Sequence, residues 1–159
     1  VGGIGEQLHP LPDGALPPQA LAVVKPAPPI ATAAIFGSPL LVRDTEPVIV
    51  MSFLADAQLA ATLGSGYGRN DLQPPAEASC PEVTQVARWL EARFGNSRMT
   101  GSGSTVFSWV DQGEPPATEQ VVQAFGAALH GDHWVGRVCR VLPCHPLLHL
   151  LGDETADQP

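Results

Sequence analysis

Residues 98–107 read Arg98-Met99-Thr100-Gly101-Ser102-Gly103-Ser104-Thr105-Val106-Phe107, a run of glycines and hydroxyl residues that leads into an alternating apolar pattern. Glycine adopts positive φ without steric cost, so Gly101 and Gly103 can let the backbone approach a ligand closely. Successive N–H groups in such a loop, with the hydroxyls beside them, form a concavity suited to an anion. The pattern predicts a phosphate-binding loop and a strand over 99–110. A flexible turn that only precedes a strand is the alternative.

A helix with one buried face is predicted directly before this stretch. Its apolar residues recur at i, i+3, i+4, i+7 and i+11, and they are Val83, Val86, Ala87, Leu90 and Phe94. Pro81 suits the first helical turn, and Gly95 suits the C-terminal end. We therefore expect a helix over 81–94.

The remaining patterns alternate between strands and helices. Residues 21–24 are typical of a buried strand, and residues 31–36 can begin a short helix with Thr32 near its first turn. A second amphipathic helix is expected over 117–130 and a final strand over 134–141. This order favours an α+β fold in which helices pack on one face of a small antiparallel sheet. The polar residues 151–159 are predicted to form a disordered tail.

The charge balance argues against nucleic acid as a partner. The chain has 159 residues and a net charge of -8, with only eight Lys and Arg, whereas phosphate-backbone binding depends on clustered basic side chains. No apolar run approaches the roughly 18 residues that a membrane span requires, so we predict no membrane partner.

The cysteines and histidines give no sign of a metal or disulfide site. Three cysteines at no recognisable disulfide or zinc spacing suit a reducing compartment, so a cytoplasmic location is expected. His130, His133 and Cys139 could be imagined as a metal cluster, but they lack a known ligand spacing. No metal site is predicted.

Four short motifs occur in an order that is found in one group of kinases. They are Gly3-Ile4-Gly5-Glu6-Gln7-Leu8, Thr32-Ala33-Ala34-Ile35-Phe36, Asn70-Asp71-Leu72, and the loop Thr100-Gly101-Ser102-Gly103-Ser104. The ordered set resembles the C-terminal half of the GHMP small-molecule kinases, and within them the branch that acts on 4-diphosphocytidyl-2-C-methylerythritol. The resemblance covers about residues 1–148. It implies a ferredoxin-like C-terminal domain at 21–150, with residues 1–20 as the end of the N-terminal kinase domain or as joining strands.

The resemblance also implies a reaction and a set of binding residues. The reaction is the ATP-dependent phosphorylation of the substrate's 2-hydroxyl, a step in non-mevalonate isoprenoid synthesis, with Mg²⁺ accompanying ATP. Phe36 is implied to stack on the cytosine with Thr32 nearby, and the loop 100–104 to lie near the transferred phosphate. From the residues alone, a core position for Phe36 remains the alternative.

The family's ATP-binding glycine loop and its catalytic Asp and Lys have no match in this chain. We therefore read the chain as a fragment, assign no catalytic residue in it, and expect it to be inactive as a kinase by itself. The implied partners are the cytidyl substrate and the N-terminal kinase domain.

Two other functions stay open at this point. A homoserine-type or mevalonate-type GHMP kinase would share the glycine loop, although the motifs at 3–6 and 32–36 favour the cytidyl branch. A non-catalytic ferredoxin-like module that binds a small ligand would also lack the catalytic residues.

Asn70 and Asp71 are interpreted as a cap for a following turn or helix. Short polar side chains are suited to this position because they accept hydrogen bonds from free backbone N–H groups. A direct role in catalysis is the alternative.

Overall fold

A computed structural model of the chain describes residues 20–46, 68–110 and 134–142. The elements of these residues, in chain order, are β1 (Ala20–Lys25), α1 (Thr32–Phe36), α2 (Gln73–Ser79), α3 (Pro81–Phe94), β2 (Arg98–Met99), β3 (Val106–Val110) and β4 (Val135–Arg140). The predicted helix over 117–130, the predicted tail, the motif at 3–8, His130 and His133 lie outside the described residues. None of the helices described is long and apolar enough to cross a bilayer.

The four strands form one antiparallel sheet in the order β2-β3-β1-β4. Leu21 in the central strand β1 lies opposite Trp109 of β3 on one side and Cys139 of β4 on the other. Read from the opposite edge, this is the strand order 4-1-3-2 of the ferredoxin-like fold, which is built from split β-α-β units. The predicted α+β class is therefore confirmed, as are the strands at 21–24 and 134–141 to within a residue of their ends.

Helix α3 supplies the apolar layer that covers one face of the sheet. It begins at Pro81 and ends before Gly95, which adopts the left-handed conformation at φ 70°. Its buried residues Val83, Val86, Ala87 and Leu90 belong to one apolar cluster with sheet residues that include Val24 and Val106. Burying a side chain of this size stabilises a fold by about 1.5–3 kcal/mol, so the periodic face of α3 accounts for much of the core.

Of the turn or helix that was expected after Asn70 and Asp71, the structure has a helix, α2. Two prolines stand in its first turn, where a missing N–H removes no intrahelical hydrogen bond and the fixed φ suits a helix. Pro75 and Ala76 are buried against the rest of the molecule. This burial explains how a seven-residue segment with low intrinsic preference keeps a helical conformation.

The prediction of one strand over 99–110 is wrong. Met99 belongs to β2, which pairs antiparallel with β3 so that Arg98 lies opposite Phe107 and Met99 opposite Val106. The chain reverses between the two strands, because Gly101 and Gly103 adopt φ values of 57° and 93°. The glycine loop is therefore the tip of a β-hairpin, with a strand on each side of it.

Candidate functional site

The hairpin tip consists of four residues, Gly101 to Ser104. The Thr100 N–H donates to the Thr105 carbonyl at 2.9 Å, and the Gly103 N–H donates to the Thr100 carbonyl at 3.2 Å. Among the described residues, the backbone N–H groups of Gly101 and Ser102 have no hydrogen-bond acceptor. Gly101 is exposed and Ser102 partly exposed, so these two donors are available to an anion.

The two glycines of the tip have different surroundings. A Cβ atom at Gly103 would lie 2.8 Å from the Met99 sulfur and 3.2 Å from Ile30 Cδ1, whereas a Cβ atom at Gly101 would meet nothing within 4 Å. Met99 is only 1% exposed. The half of the tip around Gly103 is therefore packed on the core, and the half around Gly101 borders solvent.

The predicted hydroxyls of the loop also differ in accessibility. Thr100 is exposed and Ser102 partly exposed, but Ser104 is buried, and its hydroxyl has no hydrogen-bond partner within the described part of the chain. Thr100 and Ser102 are thus the loop hydroxyls that a ligand in solvent can reach.

Two polar side chains hold the start of the loop from outside the hairpin. Asn70 Nδ2 donates to the carbonyls of Met99 and Gly101, both at 2.8 Å. The Met99 N–H donates to Gln73 Oε1 at 2.9 Å, and Gln73 Nε2 donates to Glu77 at 2.8 Å. Both polar backbone groups of Met99 are therefore bound by side chains from the turn before α2 and from α2 itself.

Helix α1 brings the predicted base-binding residues to the same loop. The hydroxyls of Thr32 and Ser102 lie 2.9 Å apart, in hydrogen-bond contact. Phe36 stands four residues after Thr32, which places the two side chains on one helix face about 5–6 Å apart at Cβ. Phe36 is 50% exposed, while its neighbour Ile35 is buried. The alternative that Phe36 is a core residue does not hold, since half of the residue is accessible to solvent.

Asn70 and Asp71 have separate roles. The Leu72 N–H donates to Asn70 Oδ1 at 3.0 Å, so Asn70 caps the turn before α2 as interpreted from the sequence. Asp71 instead accepts hydrogen bonds from the Thr45 hydroxyl and the Arg69 guanidinium, both at 2.6 Å. The Thr45 hydrogen bond, followed by that of Arg69, lowers the pKa of Asp71 below its ordinary value. Asp71 is thus held as an anion in an exposed polar cluster.

Cys80, which directly follows α2, does not have the character of a nucleophile. It is buried, and its thiol lies 3.4 Å from a carboxylate oxygen of Glu82. Burial, and then the hydrogen bond to Glu82, raise the pKa of the Cys80 thiol. The thiolate is the reactive form of cysteine, so this environment keeps Cys80 in its unreactive form.

Comparison with known proteins identifies the family. The model of the GHMP kinase C-terminal domain matches residues 53–128, a range that contains α2, α3 and the glycine loop. The chain is 45% identical over 162 aligned residues to the 4-diphosphocytidyl-2-C-methyl-D-erythritol kinase of Verminephrobacter eiseniae, covering 97% of this chain and 51% of that relative. The chain belongs to the GHMP kinases. The corresponding enzyme of Methylibium petroleiphilum is 46% identical over 147 residues, covering 92% of this chain and 46% of the relative.

A solved structure agrees with this membership of the GHMP kinases. A crystal structure of 4-(cytidine 5'-diphospho)-2C-methyl-D-erythritol kinase is 27% identical, aligns with a TM-score of 0.58, and covers 87% of this chain and 46% of that one. The chain spans about half the length of the curated relatives it matches. The expectation of a GHMP kinase C-terminal domain is confirmed.

Within this GHMP kinase domain, sequence reasoning missed the two residues that hold the loop. Asn70 was noted as a cap, but its bonds to Met99 and Gly101 join residues 29 and 31 positions apart. Gln73 carried no signal, because it belongs to none of the motifs quoted from the sequence. The position of Asn70 within a family motif was the one available sign.

Proposed function

We propose that this chain forms the C-terminal part of an ATP-dependent kinase that phosphorylates the 2-hydroxyl of 4-diphosphocytidyl-2-C-methyl-D-erythritol. The names of the relatives support this substrate. The observation that carries the proposal is the contact between Thr32 and Ser102, because it joins an exposed aromatic helix face to a glycine loop with free N–H donors. The helix face suits a nucleobase, and the loop suits phosphate.

In this proposal Phe36 stacks on the cytosine, and Thr32 lies beside the bound base. Base–aromatic stacking contributes about 1–3 kcal/mol per base, and the exposure of Phe36 supports this role. The loop residues Thr100, Gly101, Ser102, Gly103 and Ser104 lie near the transferred phosphoryl group, with the N–H groups of Gly101 and Ser102 as its donors.

ATP is the proposed phosphoryl donor, and the groups that act on the attacking hydroxyl come from the proposed N-terminal kinase domain. Phosphoryl transfer depends mainly on positioning and on electrostatic stabilisation, and the loop described here fits the positioning part. Mg²⁺ would accompany ATP. The described residues contain no cluster of three His, Cys, Asp or Glu side chains, so no side chain among them is assigned to the metal ion. The free thiols of Cys80 and Cys139 support a cytoplasmic location.

The test is a kinase assay of the full-length protein with ATP and the diphosphocytidyl substrate. Phosphorylation should occur, and it should require the cytidyl group. Homoserine and mevalonate serve as competing acceptors. Faster turnover of either one would contradict the proposed substrate, and failure to phosphorylate any of the three would contradict the kinase assignment.

The loop variant Gly101→Val separates the proposed site from the rest of the enzyme. The position has open space around it but a positive φ, so a β-branched side chain disturbs the loop conformation without entering the core. We expect a loss of kcat/KM with a small change in melting temperature. Unchanged kinetics would remove the loop from the proposed site.

A further inference from the structure

We propose that Asn70 is a positioning residue for phosphate binding, which acts by fixing the carbonyl side of the glycine loop so that its N–H groups stay turned toward the ligand. This inference rests on the proposed function of the loop. It assigns to Asn70 no contact with substrate and no proton transfer.

The hydrogen bonds of Asn70 account for this role. Its Nδ2 group donates at 2.8 Å both to the last residue of β2, Met99, and to the first residue of the tip, Gly101. Its Oδ1 atom accepts from the Leu72 N–H at 3.0 Å, which fixes the side chain on its own turn. Both amide protons of Asn70 are thus engaged on carbonyls that flank Thr100.

A peptide unit that binds an anion through its N–H group must keep its carbonyl away from that anion. The Gly101 carbonyl belongs to the same peptide unit as the Ser102 N–H, one of the two donors of the tip that are available to an anion. Because trans peptide units are planar, fixing the carbonyl on Asn70 directs the Ser102 N–H to the opposite side. Asn70 therefore sets the direction of a donor that it does not touch.

The neighbouring cluster supports the placement of Asn70. Asp71, the next residue, is bound by Thr45 and Arg69, and Arg69 also donates to the Thr45 hydroxyl at 3.0 Å. The side chains of the two neighbours of Asn70 are thereby bonded to Thr45, in the segment that follows α1. These bonds support the turn from which the Asn70 side chain reaches the loop.

The decisive variant is Asn70→Asp in the full-length protein. Aspartate has the same shape and keeps an acceptor for the Leu72 N–H, but it presents an acceptor where Nδ2 donated to two carbonyls. The loop carbonyls are then repelled, and the Ser102 N–H changes direction. Since a misplacement of about 1 Å can cost about 100-fold in rate, we expect kcat/KM to fall by roughly 10- to 100-fold while the melting temperature changes little.

The matched control is Asn96→Asp, because Asn96 also bonds the hairpin backbone but lies at its other end, in the core. That variant should lower the melting temperature and leave kcat and KM of the folded fraction unchanged. Asn70→Ala removes the same donors without adding charge and should show the kinetic loss in milder form. A fall in stability without a kinetic change in both Asn70 variants, or failure of both to fold, would overturn the inference.

The outcome for Gly101→Val separates the two proposals. If Gly101→Val impairs kinetics and Asn70→Asp does not, the loop keeps its role and the positioning inference alone is wrong. If Gly101→Val leaves kinetics unchanged, the phosphate role of the loop fails, and the role of Asn70 fails with it.

Discussion

The two ends of the β2–β3 hairpin are each held by an asparagine, and the two asparagines differ in burial. At the core end, Asn96 is 6% exposed, accepts from the Trp109 N–H at 2.8 Å and donates to the Trp109 carbonyl at 3.2 Å. At the tip, Asn70 is partly exposed and donates to the carbonyls of Met99 and of the exposed Gly101. The same type of side chain thus extends the hydrogen bonding of the strand pair at one end of the hairpin and supports an open loop at the other.

Burial decides what each asparagine contributes. A backbone group left unpaired in the core costs about 1–3 kcal/mol, whereas an exposed group that loses its partner can bond to water. The bonds of Asn96 should therefore act mainly on stability, and those of Asn70 mainly on the conformation of the tip. The predictions below test this division.

The largest effect on stability is expected for Gly103→Val. A Cβ atom there would lie 2.8 Å from the Met99 sulfur, and overpacking of this kind costs about 1–3 kcal/mol. The left-handed backbone adds about 1–2 kcal/mol for a residue with a side chain. We expect a loss of about 4 kcal/mol in the free energy of unfolding, measured by urea denaturation. A loss below that of Gly101→Ala, the control without a clash, would contradict the packing of the tip on Met99.

The second effect is that of Asn96→Ala. The change removes both bonds to Trp109 and a third to the Phe94 carbonyl, where Asn96 Nδ2 donates at 2.9 Å. Because these groups lie in or beside the core, we expect a loss of about 3 kcal/mol. Hydrogen exchange of the Trp109 amide should accelerate in the same variant. If Asn70→Ala destabilises the protein equally, the division between the two ends is wrong.

The sequence predicted helix α3 better than the hairpin that follows it. Helix α3 could be predicted to the residue, because an apolar period, Pro81 and Gly95 all indicate the same boundaries. β2 could not, since two residues are too few to show alternation, and Met99 was assigned to the strand after the loop. Periodicity reports which residues are buried, but it does not report which side chain bonds a backbone group 29 residues away.

The same difference applies to the candidate site. Thr32, Phe36 and the loop could be selected by resemblance to a family, and the structure brings Thr32 and Ser102 together. The burial of Ser104 and the packing of Gly103 on Met99 depend on tertiary contacts. Both halves of the loop motif consist of small residues, so the sequence gave no sign that one half is buried and the other exposed.

The third prediction concerns Phe36, which Thr32 connects to the tip. Phe36→Leu should weaken binding of the cytidyl substrate by about 1–3 kcal/mol, with little change in ATP affinity or melting temperature. Calorimetric titration beside thermal unfolding measures both quantities. Leu40→Ala is the control, because Leu40 has a similar exposed fraction, 54%, and lies outside α1. Equal losses of substrate affinity in both variants would mean that Phe36 has no specific contact with the base.

The smallest effect is expected for Asp71→Asn, in the polar cluster beside Asn70. The pKa of Asp71 is lowered in the folded protein, first by the Thr45 hydroxyl and then by Arg69. A carboxylate whose pKa is lower in the folded than in the unfolded state stabilises the fold at pH values above its unfolded pKa, and this stabilisation is lost as the pH falls through the folded value. The difference in melting temperature between the wild type and Asp71→Asn should therefore be small and constant near neutral pH and should decrease in acid. Asp44→Asn, an exposed carboxylate on the same segment as Thr45, is the control. A difference that grows as the pH falls would show that Asp71 is not held as an anion, and the polar cluster could then not support the turn that carries Asn70.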